Sequence, residues 1–367
     1  MIKRKVLIVI TTDFVPYGGL TTVMMNYYRA MNKENLQIDF ASTNDPCDEL
    51  KQELVQNGSK YFDLGSRKHS PIHYLKKLAT VLKKEKYDVI HVNGNSSTMA
   101  MELVTAKLVG VPSRIAHIHT TRSKYPYANV VLHPIFATSY TTALAVSKQA
   151  GDWLYRKNYT LLNNAINTNK YKFNAEVREI IRKKYELTGK FVIGNVGKLN
   201  PPKNHIHLLQ TFTEYSKQDE NAMLVIAGGG ELEQQLKAKA AELGVASKVI
   251  FLGMYSDIAG ILQAFDAFVF PSLFEGLGLA IIEAQAAGLP CIASTAVPQE
   301  TNVTPYISYL DLDSDAAAWA DKIAETKVQV LNTDRLSISE KARGCIREHG
   351  YEICCEAEKL EKVYRGI

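Results

Sequence analysis

The stretch Phe270-Pro271-Ser272-Leu273-Phe274-Glu275-Gly276-Leu277-Gly278-Leu279-Ala280-Ile281-Ile282-Glu283-Ala284-Gln285-Ala286-Ala287-Gly288-Leu289-Pro290 starts as an apolar strand and ends as a helix. Ala264 to Phe270 has strand length and aromatic, β-branched content. Pro271-Ser272 breaks that run, and Leu279 to Ala287 take up helical spacing. The turn between them carries Glu275, Gly276 and Gly278. Glycine lets backbone approach a ligand, and the amides of a helix's first turn lack internal partners and carry partial positive charge, so an anion is stabilised there. Glu275 precedes the helix and Glu283 lies two turns inside it, so the two carboxylates can accept hydroxyl donors at two places along one extended ligand with phosphate between. A strand-turn-helix of any α/β protein with two surface glutamates is the competing reading. Glu283 is flanked by Ile281-Ile282 and a run of alanines, where an unpaired charge is costly, and it is expected to have a partner.

Working outward, strand and helix signals alternate on both sides. Downstream, Cys291 to Ser294 continues the sheet. Upstream, Phe191 to Gly197 reads as a strand leading into Lys198-Leu199-Asn200-Pro201-Pro202-Lys203-Asn204 and a helix from about His205. Ala222 to Ala227 runs into Gly228-Gly229-Gly230 and a helix, and this is not a Gly-x-Gly-x-x-Gly fingerprint with an acidic ribose ligand behind it, which weakens a nicotinamide enzyme. Leu161 to Lys170 is rich in turn formers and is placed as the interdomain linker.

The first half repeats the alternation. Val6 to Ile10 is a strand, followed by a turn-rich loop with Gly18 and Gly19 and a helix from Leu20 to Met31. Strands are expected at 36–41, 87–94, 114–122 and 142–147, the 114–122 strand presenting His119 and Arg122 at its carboxyl end, where open parallel sheets hold ligands. His117 and His119 alternate on that strand with no carboxylate nearby, a poor metal set. The helix after Pro71 places Ile72, Leu75, Leu78, Ala79 and Leu82 on one face and Lys76, Lys77, Lys83 and Lys84 away from it. That pattern fits a packed helix with a solvated basic side, from which the lysines can still reach anionic lipid. Two parallel alternations of similar length imply an α/β fold of two doubly wound domains, 1–165 and 166–350, facing a central cleft, with a C-terminal helix in 351–367.

Composition narrows the class further. The 367 residues suffice for two domains and carry a net charge of +5. Residues 1–170 hold 22 Lys and Arg against 12 Asp and Glu, whereas 171–367 hold 21 against 26. The basic first half suits an anionic lipid surface or a phosphate-bearing acceptor, or serves solubility alone. Five cysteines without a Cys-x-x-Cys pair suggest neither a disulfide framework nor a zinc site, and a reducing cytoplasm fits. The N-terminal apolar run is too short for a signal peptide, and no stretch reaches the roughly 18 apolar residues of a membrane span. Any membrane contact is therefore expected to be peripheral.

Over nearly its whole length the chain resembles the retaining family 4 glycosyltransferases of GT-B fold. Their Glu-x7-Glu segment is matched by Glu275 and Glu283 with Gly276, Leu277, Gly278 and Leu279 between, and Val196 to Asn204 is similar to the family's Gly-Arg-Leu-x-x-x-Lys-Asn segment, with Lys203 in the place of its diphosphate-binding lysine. Lys198 stands where the family usually has arginine and lacks that residue's planar fork. The segments 116–122 and 294–300 are most similar to capsular and exopolysaccharide members. The resemblance implies a nucleotide-sugar donor, UDP-linked by preference, and a saccharide acceptor expected to be lipid-diphosphate-linked. It further implies transfer of a hexose-type sugar with retention, no cofactor, no obligatory metal and no nucleic-acid partner. Lys198, Lys203 and the amides after Glu275 would stabilise the departing diphosphate, Glu283 would hold the ribose and Glu275 the donor sugar. His119 would contact that sugar, while Gly18 and Gly19 would let backbone close over the diphosphate. The C-terminal helix would cross back onto the first domain. An epimerase or phosphorylase of the same architecture, and a non-catalytic nucleotide-sugar-binding subunit of a polysaccharide assembly complex, are the alternative readings.

Overall fold

The structure, a computed structural model, describes residues 3–16, 18–121, 123 and 125–367. Arg122, expected at the end of a strand, lies outside the described residues. The chain divides into two compact units, Met1–Ala165 with Ile353–Ile367, and Ile166–Glu352.

Unit 1 is built on a parallel sheet of β1 (Arg4–Ile10), β2 (Leu36–Ser42), β3 (Tyr61–Asp63), β4 (Val89–Gly94), β5 (Ser113–Ile118), β6 (Thr142–Ala145) and β7 (Thr160–Leu161), in the order β3-β2-β1-β4-β5-β6-β7. Unit 2 holds β8 (Phe191–Val196), β9 (Ala222–Ala227), β10 (Val249–Phe251), β11 (Ala267–Phe270), β12 (Cys291–Ser294) and β13 (Ile307–Leu310), in the order β10-β9-β8-β11-β12-β13. Central strands covered on both faces read as unbroken apolar runs. Accordingly Val192 and Val196 of β8 enter one core while Phe191 and Ile193 enter the other, and in β11 Phe268 and Phe270 oppose Ala267 and Val269 in the same way. Each sheet reverses its strand order once, between β1 and β4 and between β8 and β11, and such switch points open ligand crevices at the strand carboxyl ends. This is the doubly wound α/β architecture, present in each unit.

Several details depart from the sequence expectation. Strand β11 begins at Ala267 rather than Ala264, because Ala264 ends the Ile258–Ala264 helix and Phe265 caps it, and the chain then turns at Asp266. Asp266 Oδ2 accepts the Val192 amide at 2.7 Å and Arg182 Nη1 at 3.0 Å, and its Oδ1 accepts Arg178 Nη2 at 2.5 Å. Arg335 then donates to the carbonyls of Leu262, Gln263 and Phe265, closing the carboxyl end of the Ile258–Ala264 helix. The Pro71–Glu85 helix buries Tyr74, Leu78 and Leu82, whereas Ile72 is 71% exposed. The 114–122 strand stops at Ile118, which leaves His119 on the loop beyond it.

The last helix, Ile353–Arg365, belongs to unit 1 and buries Ile353, Ala357, Leu360 and Tyr364 at helical spacing. Glu356 Oε2 accepts the Asn163 amide at 3.0 Å, and Arg4 Nη1 donates to the Arg365 carbonyl at 2.7 Å. The return falls at Ile353, two residues beyond the expected position. Ile166 donates its amide to the Tyr351 carbonyl at 3.0 Å, and Thr168 Oγ1 donates to Glu352 Oε2, which keeps 351–352 in unit 2.

Candidate functional site

The switch point of unit 2 carries two chemically loaded loops, one after β8 and one after β11. The Leu273 amide donates to the Pro202 carbonyl at 2.8 Å and so joins them. Pro201 and Pro202 start a single tight turn, Pro201–Lys203, whose fixed φ delivers Lys203 inward. The Lys203 stem packs over Gly197, where a Cβ would lie 3.4 Å from it, and Nζ sits 4.7 Å from the Phe270 ring centroid. Nζ also lies 2.5 Å from Glu275 Oε1, in a pair whose side chains are 20% and 9% exposed. Lys203 and Glu275 are thus brought together, 72 residues apart in the chain. Lys198 is not drawn into this pair: its side chain is 65% exposed, and Nζ is 3.9 Å from Glu231.

A polar brace stands behind the turn. Asn195 Nδ2 donates to the Val269 carbonyl at 2.8 Å, and Asn195 Oδ1 faces His205 Nε2 at 3.1 Å, so that nitrogen carries the proton. Burial, with the Lys203 charge adding to it, pushes the His205 imidazole down to about 4, and it stays neutral at physiological pH. Gly228 closes the third side. Its φ is +152°, and a Cβ there would stand 1.9 Å from the Gly197 carbonyl oxygen, so only glycine lets the two loops pack.

In the loop after β11, Gly278 takes φ +83° and starts the Leu279–Ala286 helix with no side-chain cap. The amides of Gly276, Leu277, Gly278, Leu279 and Ala280 have no hydrogen-bond acceptor among the described residues. Donors gathered at a helix start favour an anion. One and a half turns further, Glu283 is buried and accepts the Tyr171 hydroxyl at 2.7 Å on Oε1. This supplies the partner that its apolar neighbours demanded. Burial raises the Glu283 pKa, while Tyr171 and the charge of Lys170 pull it back, and burial together with Glu283 raises that of Tyr171, which stays a donor.

In unit 1, Gly18 (φ −69°) caps the Gly19–Ala30 helix and Gly19 is its first residue. Neither needs a left-handed backbone. A Cβ on Gly19 would meet nothing within 4 Å, so the absent side chain leaves open space beside the helix start. His119 Nε2 faces Asn93 Oδ1 at 3.0 Å, which fixes that nitrogen as the protonated one. Its ring lies 4.1 Å from that of His117, His117 Nδ1 is 3.2 Å from His91 Nε2, and His91 Nδ1 is 2.7 Å from the Tyr364 hydroxyl. Burial lowers all three imidazoles, His91 and His119 to about 3. Among the described residues no group of His, Cys, Asp or Glu is arranged to hold a metal. Sequence reading missed His91, Asn93, Tyr171, Asn195 and His205. The available signal was a polar residue inside an apolar strand, as in Val89-Ile90-His91-Val92-Asn93 and Val192-Ile193-Gly194-Asn195-Val196.

Each unit is doubly wound, and the switch point of unit 2 carries a lysine-carboxylate pair and an open helix start, groups suited to an anionic, hydroxyl-bearing ligand. The profile described as Glycosyltransferase Family 4 matches residues 17–170, and that described as Glycosyl transferases group 1 matches residues 177–343. The chain is 32% identical over 309 residues to the UDP-Gal:alpha-D-GlcNAc-diphosphoundecaprenol alpha-1,3-galactosyltransferase of Escherichia coli, covering 78% of this chain and 77% of that enzyme. To EpsF of Bacillus subtilis (strain 168), a glycosyltransferase by name, it is 29% identical over 324 residues, 84% of each chain. The fold is also that of Anabaena HepE, solved in complex with UDP: TM-score 0.78 at 15% identity, over 99% of this chain and 100% of the other. The chain belongs to the family 4 glycosyltransferases.

Proposed function

We propose that the chain is a retaining hexosyltransferase that moves a sugar from a UDP-sugar to a lipid-diphosphate-linked saccharide in capsular or exopolysaccharide synthesis, working at the inner membrane face. The observation that carries the reading is the joined pair of loops at the unit 2 switch point, where Lys203, Glu275, a row of open amides and Glu283 follow one another. The Escherichia coli relative is a galactosyltransferase that uses UDP-Gal and a diphosphoundecaprenol-linked acceptor, which supports the UDP-sugar and the lipid-linked acceptor.

In this scheme the amides from Gly276 to Ala280 and the Lys203 ammonium stabilise the charge that develops on the departing diphosphate, the dominant contribution when a glycosyl bond ionises. Lys198, at the solvent edge, adds a longer-range positive charge. Glu275, held by Lys203 in the free protein, accepts hydroxyls of the donor sugar, and Glu283, oriented by Tyr171, accepts those of the ribose. In unit 1, His119 contacts the sugar through a neutral ring, and Gly18 and Gly19 give backbone access to the phosphates. A donor phosphate oxygen receives the acceptor's proton as the acceptor attacks on the face the nucleotide leaves. The positive charge comes from lysines and amides, so no obligatory metal is proposed. No described helix is long and apolar enough to cross a membrane, and membrane contact in this scheme is peripheral.

The test is a thermal-shift screen of UDP- and GDP-sugars followed by transfer assays with the best donor. Acceptor-dependent release of UDP that disappears in Lys203→Ala and Glu283→Ala supports the reading. Undiminished turnover in either variant contradicts the roles, and conversion of the donor without any acceptor favours an epimerase.

A further inference from the structure

At the switch point of unit 1 the side chain of Asn93 is fully buried and has one orientation open to it. Its main-chain carbonyl accepts the Thr11 amide at 3.1 Å and Thr11 Oγ1 at 2.9 Å, which anchors the end of β4 to the chain beyond β1. Its Nδ2 donates to the His91 carbonyl at 3.3 Å and to the Val9 carbonyl at 3.5 Å. Reversing the amide would set its oxygen against those two carbonyls, so Oδ1 is left facing His119 Nε2 at 3.0 Å. His119 is fixed in turn. Its own amide donates to the Gly94 carbonyl at 3.1 Å, and its ring lies 4.1 Å from that of His117. His117 is held by His91, and His91 by the Tyr364 hydroxyl. A ring gripped at one edge by Asn93 and covered on one face by His117 has little freedom to turn over.

A neutral imidazole has one donor and one acceptor nitrogen. With the proton on Nε2, Nδ1 is a bare acceptor, and among the described residues nothing donates to it. Burial pushes the ring down to about 3, so protonation does not make Nδ1 a donor at neutral pH. Whatever faces Nδ1 must bring a hydrogen of its own. A sugar hydroxyl does, and an ionised phosphate oxygen does not. We infer that Asn93 is a positioning residue for sugar transfer: it holds His119 as the Nε2–H tautomer, so that Nδ1 accepts one hydroxyl of the donor sugar and takes no part in holding the diphosphate. This deepens the proposed function and rests on its sugar-nucleotide donor. A site built to pair with a hydroxyl rejects the analogue that lacks it, so the Asn93–His119 pair also selects among donor sugars.

The experiment joins a spectroscopic arm to a kinetic one. In the unaltered chain carrying isotope-labelled histidine, long-range nitrogen–proton correlation spectra at neutral pH are expected to show His119 protonated on Nε2 and bare on Nδ1, with its signals assigned by their loss in His119→Gln. A proton on Nδ1 overturns the proposal. In the kinetic arm the best UDP-sugar and its monodeoxy forms are compared in the unaltered chain and in Asn93→Leu. The variant is expected to lower kcat/KM for the intact donor about tenfold or more, yet to change it about twofold or less for the one monodeoxy donor that lacks the hydroxyl facing Nδ1. Calorimetric affinity for UDP alone is expected to change about twofold or less. An equal loss for the intact donor and for every monodeoxy form reduces Asn93 to a structural role and overturns the proposal. A loss of UDP affinity as large as the loss of turnover overturns it as well, since His119 would then serve the diphosphate. Asn93→Ser runs the same cycle where leucine prevents folding, and the spectrum of the unaltered chain decides the tautomer without either variant. Absence of sugar transfer by the unaltered chain counts against the proposed function; transfer without coupling between Asn93 and a hydroxyl counts against this inference alone.

Discussion

Tyr171→Phe is the sharpest perturbation of the end of the unit 2 site proposed to hold the ribose. The ring is buried, its hydroxyl donates to Glu283 at 2.7 Å, and removing one oxygen changes little else in shape. A hydrogen bond to a charged buried group is worth about 1.5–3 kcal/mol, and that amount should disappear from the stability of unit 2 near neutral pH. The pH dependence gives the deficit its signature. Burial already raises the Glu283 pKa, and loss of Tyr171 raises it further. A carboxyl group whose folded pKa lies above its unfolded value costs stability at pH above the folded pKa, and the cost vanishes below the unfolded value of about 4.3. The deficit of the variant relative to the parent should therefore be greatest at about pH 8 and narrow toward about pH 5, while the acid limb of UDP binding shifts to higher pH. Hydrogen-exchange protection of the Leu279–Ala286 helix and calorimetric UDP titrations read both. A deficit below about 0.5 kcal/mol, or one constant across that range, would refute the claim that Tyr171 holds a charged Glu283.

Further outcomes follow from the same geometry. Lys203→Ala should lower turnover about a hundredfold or more, as removal of a pre-positioned transition-state charge does, with Lys203→Arg recovering part of it in the same steady-state assay; equal rates in Ala and Arg variants would deny Lys203 a charge role. Gly228→Ala places a Cβ 1.9 Å from the Gly197 carbonyl at a φ of +152° and should cost about 3 kcal/mol or more, read as a fall in melting temperature or in soluble yield. His91 and His119 are pushed down to about 3, so between about pH 6.5 and about pH 3 the unfolded chain takes up protons that the folded unit does not. Stability then falls with pH at about 1.4 kcal/mol per unit for each histidine. Unit 1 should lose hydrogen-exchange protection before unit 2 on acidification, and the reverse order would contradict the histidine account.

The alternation of apolar runs with glycine and proline breaks made both parallel sheets readable, since buried central strands such as β8 and β11 tolerate little else. Pro201-Pro202 and the glycines around Glu275 likewise showed where the loops would stand. Short edge strands left no comparable trace: β3, β7 and β13 span three, two and four residues. Strand β11 starts later than its apolar run suggests because the preceding helix runs through Ala264 and is closed by Arg335, 70 residues from Phe265, a tertiary arrangement with no local signature. For Glu283 the need for a partner was legible from its neighbours, but Tyr171 lies 112 residues away and only the fold joins them. Lys198 and Lys203 read alike as charges in one loop. Burial separates them, and only packing over Gly197 and Phe270 sets Lys203 in its place.

The central claim is sugar transfer with retention from a UDP-sugar, and the configuration of the new linkage tests it most directly. Incubating the chain with its best UDP-α-sugar and a diphosphate-linked saccharide, then recording the anomeric proton coupling of the product, should show an α-linkage that is absent from the Lys203→Ala and Glu275→Ala reactions. A β-linked product, or an α-linked product formed equally well by those variants, would contradict it.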